Sequence, residues 1–586
     1  MKKNTYKISL ILIVLLVSVF VFSGCNKTTN QETVTPTPVP DTGNQEQEED
    51  ETNEDADTDT EEGGTQTEPE VIKAHYGTVE VQQDIIYSED FEDGQTQFTG
   101  RGPAKVQIVD NQAGEGTKSL YVTERTSLWN GATVNLTEEL KIGETYLIEA
   151  MVLYEEGPDT VGIDCKLEKN SSEYLSFASS IAKKGEWGPI TGSIIIPEGT
   201  TTASVYFETG YAEGELIDFY IDGIKIVKEI ATVDRGELPS LKEVYKDLYS
   251  VGVAVTANEI SANRQELIKQ QFNSLTPGNE LKPDSVLDRA ICISDPKYDD
   301  NPAVDFSRVE PILEFAQEAG IPVRGHTLVW HSQTPRWFFA EGYSDDANAP
   351  LVSKDLMLKR MENYIKNVLE YTQTNYPDLI YAWDVVNEAV NPSDGAPNGY
   401  RSKDSLWYQV VGPEFVEKAF EYARKYADEN VKLFYNDYNT EDSARMIAIY
   451  DIAAGLKEKG LIDGIGLQSH FSMENPSLID VESSIRKYAE LGLEIQITEL
   501  DMGLTENTEE AYLRQAKRYK RFFAILKNLK ESGNVNVTNL TFWGLSDDIS
   551  WLNKPDQPSY PLLFDKYLLQ KPAFWAAVLS PDIPLY

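Results

Sequence analysis

Two glutamates in the C-terminal half of the chain have the setting that acid–base and nucleophilic chemistry needs. Glu388 closes the apolar run LIYAWDVVNE (379–388) directly after Asn387, and Glu499 lies near the end of LEIQITELD (493–501), two residues before Asp501. Polar and aromatic residues end other apolar runs: Asn279, Glu280 and Lys282; His326, Trp330, His331 and Gln333; Tyr435, Asn436 and Asp437; Gln468 and His470; Trp543, with Trp551 nearby. Cleaving a glycosidic bond takes one carboxylic acid to protonate the leaving oxygen and a second carboxylate to attack the sugar or activate water. Indoles cover the apolar faces of pyranose rings, and amides and lysine read hydroxyls. The same set offers no Ser or Cys paired with a base, no glycine loop for phosphate and no complete metal shell. Packing around Glu388 is expected to raise its pKa and keep it protonated at neutral pH. A cationic or hydrogen-bonding His470 is expected to keep Glu499 ionised, as a nucleophile requires. Singly, each residue has a plainer reading: a strand-end Glu in an ion pair or helix cap, Asp384 and Asp501 as supports, Trp383 as core, His326 as a buried, hydrogen-bonded His. The joint placement carries the reading.

Those residues need a frame that brings strand ends together. Apolar strands are predicted at VGVAV (251–255), FNSLTP (272–277), PVRGHTLV (322–329), 379–388, VKLFYND (431–437), DGIGLQSH (463–470), 493–501 and NLTFWGL (539–545). Helical stretches lie between them, as in 355–374, where Leu358, Met361, Ile365 and Val368 or Leu369 recur at helical spacing. Eight strand–helix units predict a (β/α)8 barrel over 241–586, with its site at the carboxyl ends of the strands. Strands four and seven stand on opposite sides of such a mouth, so inward side chains can meet at about 5 Å, the separation of retaining glycosidases.

Residues 85–228 read differently, as short β-rich runs with turn signals. In ASVYFE (203–208), alternation puts Val205 and Phe207 on one face and Ser204, Tyr206 and Glu208 on the other. DFYIDGIKIV (218–227) alternates until Gly223 interrupts it. An antiparallel, jelly-roll-like β-sandwich is expected, joined to the barrel by a linker at 229–240. Residues 25–84 are largely Thr, Gln, Pro, Asp and Glu, with no Lys or Arg between Lys27 and Lys73. Such a segment buries too little apolar surface to offset its ordering entropy, and reads as an extended acidic stalk. Residues 1–24 have the basic start and apolar run (Ile8 to Phe22) of an export signal. Ser23-Gly24-Cys25 resembles a bacterial lipoprotein box, which implies lipidation at Cys25 and a cell-surface or extracellular protein.

The formal charge of −44 opposes nucleic acid and electrostatic docking on an anionic bilayer. Contact with a membrane is therefore expected only through the lipid. Three Cys and four scattered His make neither a disulfide framework nor a zinc site, and catalysis is expected to need no cofactor.

The blocks GHTLVWHSQTPRW (325–337), WDVVNEA (383–389), YNDYN (435–439), GIGLQSH (464–470), ITELD (497–501) and FWGLSDDISWL (542–552) resemble the family 10 glycoside hydrolases, mostly endo-β-1,4-xylanases, over about residues 240–585. The resemblance implies Glu388 as acid/base, Glu499 as nucleophile, Asn387 on the sugar 2-hydroxyl, His470 beside the nucleophile and Asp501 supporting His470. It implies substrate binding through Asn279, Lys282, His326, Trp330, Gln333, Gln468, Trp543 and Trp551. Gly278 stands where that family usually has Glu, which removes one hydroxyl contact. The sandwich resembles xylan-binding family 22 modules, with Arg101, Trp129, Tyr174, Tyr206 and Glu208 as cleft residues. Acidic SEDFEDG (88–94) and Asp222 offer the oxygen ligands that a structural Ca²⁺ takes. The expectation is a monomeric retaining xylanase acting on xylan and xylooligosaccharides. A non-catalytic surface xylan-binding protein and a retaining endo-β-glucanase are the alternatives.

Overall fold

The computed structural model describes residues 76–584 apart from 198, 211–213, 261 and 555–556. The expected export signal, Cys25 and the stalk up to residue 75 lie outside the described residues. Among the described residues, no helix is long and apolar enough to cross a membrane.

The N-terminal domain is a sandwich of two antiparallel sheets. One contains Thr78–Glu89, Lys105–Val109, Ser119–Thr123, Thr145–Leu153, Gly188–Ile195 and Phe219–Asp234, and the other Thr99–Arg101, Gly131–Asn135, Thr160–Lys169, Glu173–Lys183 and Ala203–Thr209. Alternation works as expected: Val205 and Phe207 are fully buried between the sheets with Leu120, Val122, Ile163, Leu167, Phe219 and Ile221. Gly223 takes φ +56 where the register shifts between Asp222 and Lys225, so it marks a bulge and the strand continues past it.

The β-region is wider than 85–228. Residues 78–84 pair with 228–234 in a two-stranded ribbon, which takes seven residues from the predicted stalk and narrows the linker to 235–240. That ribbon is mostly exposed and polar, so it carries no apolar alternation to reveal it. Beyond it, Arg235 Nε donates to Leu568 O (2.7 Å) and Gln570 Nε2 to Arg235 O (2.8 Å), tying the join to the C-terminal loops of the barrel.

The C-terminal domain is a closed parallel barrel. Its strands are β1 (Ser250–Val255), β2 (Ser274–Pro277), β3 (Val323–Trp330), β4 (Ile380–Asn387), β5 (Lys432–Asp437), β6 (Gly464–Leu467), β7 (Glu494–Met502) and β8 (Val537–Phe542). Each pairs in parallel with the next, and β8 pairs back onto β1. Strands covered on both faces read as near-continuous apolar runs, which is why all eight are legible in the sequence. The sixth ends earlier than expected. Ser469 turns to φ 64, and His470–Phe471 form a separate short strand beside β7. The helix expected at 355–374 spans Lys354–Asn375, starts on a Ser353 cap and buries Met357, Met361, Tyr364, Ile365, Val368 and Leu369.

A buried ion pair crosses the barrel interior below the mouth. The Arg324 guanidinium grips both oxygens of Asp384 and donates from Nε to Gln496 Oε1 (2.8 Å), and Arg324 and Asp384 are both fully buried. Asp384 Oδ2 also lies 2.8 Å from His326 Nδ1, so the pair orients a residue of the site. Removing one member strands the other charge in an apolar interior. Asp384→Asn is therefore expected to cost about 3–5 kcal/mol, read as a lower urea midpoint with an unchanged m-value.

Candidate active site

At the end of β4, Asn387 is 2% exposed and Glu388 turns to φ 57, with its N–H on Asn436 O (2.9 Å). A non-glycine residue in that left-handed region is strained and persists where its surroundings hold it. The turn presents the carboxyl to the barrel mouth. Gln468 Nε2 donates to Glu388 Oε1 (2.9 Å), Asn387 Nδ2 reaches the same oxygen at 3.3 Å, and His331 Nδ1 lies 4.0 Å from Oε2. Burial raises the Glu388 pKa; the Gln468 bond opposes the shift and the charge on Glu499 adds to it.

Glu499 has the opposite electrostatics. It is 5% exposed, yet its pKa falls to about 2: burial pushes it up, and the His470 hydrogen bond with the fields of His326, His470 and Lys282 outweighs that push. His470 itself is pushed up to about 10, because Asp501 and Glu499 overcome its burial. As an imidazolium it donates from Nε2 to Glu499 Oε2 (3.1 Å) and from Nδ1 to Asp501 Oδ2 (2.9 Å). Trp551 Nε1 adds a second donor to Asp501 Oδ2 (2.8 Å).

Asn436 links the two carboxylates. Its Nδ2 donates to Asn387 Oδ1 (3.0 Å) and Glu499 Oε1 (2.8 Å), while Thr498 Oγ1 donates to its Oδ1 (2.7 Å). An amide chain thus runs Glu499–Asn436–Asn387–Glu388, with Gln468 also on Asn387 Oδ1 (3.2 Å). Sequence reading saw Asn436 at a strand end and assigned it no role. A signal exists at Gly466, the register partner of Asn436: a Cβ there would sit 2.3 Å from Asn436 Oδ1.

On one flank Lys282, 5% exposed, donates to Asn279 Oδ1 (3.0 Å) and sits 4.9 Å from the Trp330 ring and 5.9 Å from the Trp543 ring. Burial lowers its pKa, with Glu499 pulling back. His326 lies 6.4 Å from the Trp330 ring and 5.4 Å from Trp543, and His470 lies 5.0 Å from Trp551, which is 54% exposed. Gln333 stands at the edge, with its amide on Asp284 (3.2 Å). Gly278 is glycine without local need: a Cβ would meet its nearest atoms, Thr256 Cγ2 and Val255 O, at 3.6 Å.

The five expected sandwich residues converge on one cleft of about 350 Å³, which Lys166 also lines. The Arg101 guanidinium lies 3.9 Å from the Tyr206 ring and 5.3 Å from those of Trp129 and Tyr174, and bonds Glu168 (2.9 Å). Glu208 is fully buried and paired with Lys166. Lys166 is the cross-strand partner of Tyr206, a register the sequence does not announce. In the acidic loop Glu92 accepts from the N–H groups of Thr117 and Lys118, and Asp222 accepts from those of Gly114 and Glu115; among the described residues no group of three acidic, His or Cys side chains is arranged to hold a metal ion. Cys165 and Cys292 are buried and unpaired.

Residues 240–580 match the model of glycosyl hydrolase family 10, and residues 83–214 match that of a carbohydrate binding domain. Endo-1,4-beta-xylanase A of Thermotoga maritima is 38% identical over 85% of this chain and 46% of its own length. Endo-1,4-beta-xylanase B of Butyrivibrio fibrisolvens is 43% identical over 58% of this chain and 54% of its own. The chain spans about half the length of the curated relatives it matches. Among solved structures, the CBM22-1–GH10 modules of Clostridium thermocellum endo-1,4-beta-D-xylanase 10B, complexed with xylohexaose, share 31% identity at a TM-score of 0.55, covering 86% of this chain and 98% of that one.

The His470 clamp yields a test. In His470→Asn the cation is gone and burial acts on Glu499 with less opposition, so its pKa should climb from about 2 into the ordinary glutamate range or above. A ¹³C NMR titration of the Glu499 side-chain carboxyl reads this directly, and an unmoved value removes His470 as the cause.

Proposed function

The chain belongs to glycosyl hydrolase family 10, and on that premise we propose that it is an endo-1,4-β-xylanase that cleaves internal β-1,4-xylosidic bonds of xylan with retention of configuration. The observation that carries this reading is the opposite tuning of two carboxylates joined by one amide chain: Glu388 raised by burial, Glu499 held near 2 by His470. In the proposed double displacement, Glu388 protonates the leaving oxygen as Glu499 Oε attacks the anomeric carbon, giving a glycosyl-enzyme ester. Glu388, now a carboxylate, takes a proton from water as that water attacks the same carbon and releases Glu499. Asn387 bonds the 2-hydroxyl of the reacting sugar. Lys282, Asn279, His326, Gln333 and Gln468 read neighbouring hydroxyls, and Trp330, Trp543 and Trp551 cover sugar faces.

In this proposal the sandwich holds the polymer near the barrel, with Tyr206, Tyr174 and Trp129 against sugar rings and Arg101 and Glu208 on hydroxyls. The names of the relatives and the carbohydrate-binding match support xylan as the ligand. The enzyme is proposed to be exported and tethered through lipidated Cys25, on the strength of its N-terminal sequence, and to act as a monomer.

The reading is open to direct test. NMR of a xylooligosaccharide digest should show the β-anomer first; an α-anomer overturns the mechanism. In the same assay Glu499→Ala should lose turnover on the order of 10⁴-fold or more while still binding xylan. Parallel digestion of carboxymethyl cellulose identifies the polymer, since faster cleavage of that substrate than of xylan replaces xylanase by endo-β-glucanase. For the sandwich, Tyr206→Ala should weaken retention on insoluble xylan about tenfold, the equivalent of one aromatic contact, and unchanged retention removes the cleft from xylan binding.

A further inference from the structure

One cation outside the sugar-binding set is built around the main chain of Glu388. After the left-handed Glu388 the chain doubles back: Asn391 N donates to Gly399 O (2.9 Å), Arg401 N donates to Ala389 O (2.8 Å), and Val390 bridges Tyr400. This return brings Arg401, 5% exposed, back to the strand end it has just left. Its three nitrogens serve three separate acceptors. Nε donates to Glu388 O (3.0 Å), Nη1 to Asp404 Oδ2 (3.0 Å) and Nη2 to Tyr438 Oη (2.9 Å). Tyr438 directly follows β5, and its ring lies 4.1 Å from the Arg445 guanidinium. Arg445 in turn donates to Asp437 (2.9 Å) and to Val390 O (2.6 Å). Arg401 therefore ties the ends of β4 and β5 together at the carbonyl of the residue whose backbone is strained.

We propose that Arg401 is a positioning residue for proton transfer: by binding the Glu388 carbonyl it holds the turn that aims the Glu388 carboxyl at the leaving oxygen, and it takes no part in attack by Glu499. The inference rests on Glu388 being the acid/base. A planar fork with donors in three directions meets all three acceptors, and a lysine ammonium on a flexible stem does not. A general acid works only within hydrogen-bond reach of the atom it protonates, so slack in the turn lowers its efficiency without removing the group.

The test compares two leaving groups through kcat/KM, which reports glycosylation for both. Xylan needs protonation of its leaving sugar, whereas 2,4-dinitrophenyl β-xylobioside releases 2,4-dinitrophenolate, which leaves without protonation. Arg401→Lys should lower kcat/KM on xylan about 10–100-fold, the size of a misplacement near 1 Å, and on the aryl glycoside less than about threefold. Equal losses on both substrates overturn the proposal. If Arg401→Lys does not fold by near-UV circular dichroism, Asp404→Asn, which frees only the outer end of the guanidinium, should give the same asymmetry at smaller amplitude, and a symmetric loss there also overturns it. In a Glu388→Ala background, Arg401→Lys should have no further effect on xylan; a full additional loss refutes the positioning role. Unimpaired xylan cleavage by Glu388→Ala alone would instead remove Glu388 from acid/base duty.

Discussion

The ion pair between His470 and Glu499 is the interaction on which the rest of the site depends. A carboxylate as buried as Glu499 would otherwise take up a proton, because desolvation penalises its charged form. His470 stays cationic because Asp501 on its other nitrogen, together with Glu499, outweighs its burial, and Asp501 is in turn capped by the Trp551 indole. Strand β7 supplies both acids at positions two apart, so they share one face of the strand. The result is a hydrogen-bonded line in which Asp501 favours the charged form of His470 and His470 favours that of Glu499.

Glu388 shows what the same barrel mouth does when no cation bonds the carboxyl. Its neighbours are amides and a neutral imidazole, His331, held well below the usual histidine range, down to about 3, by its burial and the nearby Arg401. One carboxyl is therefore driven towards protonation and the other towards ionisation within a single hydrogen-bonded chain through Asn436 and Asn387. Tuning by environment, with identical side chains, is how a pair of glutamates acquires two roles. Below them, Arg324 and Asp384 anchor His326 and connect the chemistry to the packing of the barrel interior.

The sandwich solves a related problem with different parts. Buried Glu208 is neutralised by Lys166 and Arg101, and Arg101 is flanked by three aromatic rings that would also be the platform for a sugar. Charge and stacking are thus set in one cleft by residues from four strands and the turn that carries Trp129.

Much of this was legible without coordinates. All eight barrel strands, the two glutamates at strand ends, and the shared face of Tyr206 and Glu208 follow from local pattern, because strand burial and side-chain alternation are written along the chain; the pairing of Asp501 with His470 came from the family resemblance. Asn436, Lys166, Arg401 and the ribbon of 78–84 with 228–234 were not. Asn436 matters through a glycine on the next strand, Lys166 through its cross-strand partner, and Arg401 because a loop returns it to Glu388. Residue types and their spacing along one strand thus determined the chemistry available to the protein. Tertiary structure decided which oxygen each donor meets and which carboxyl keeps its proton, because strand register and loop return set those distances and neither is encoded by any single segment.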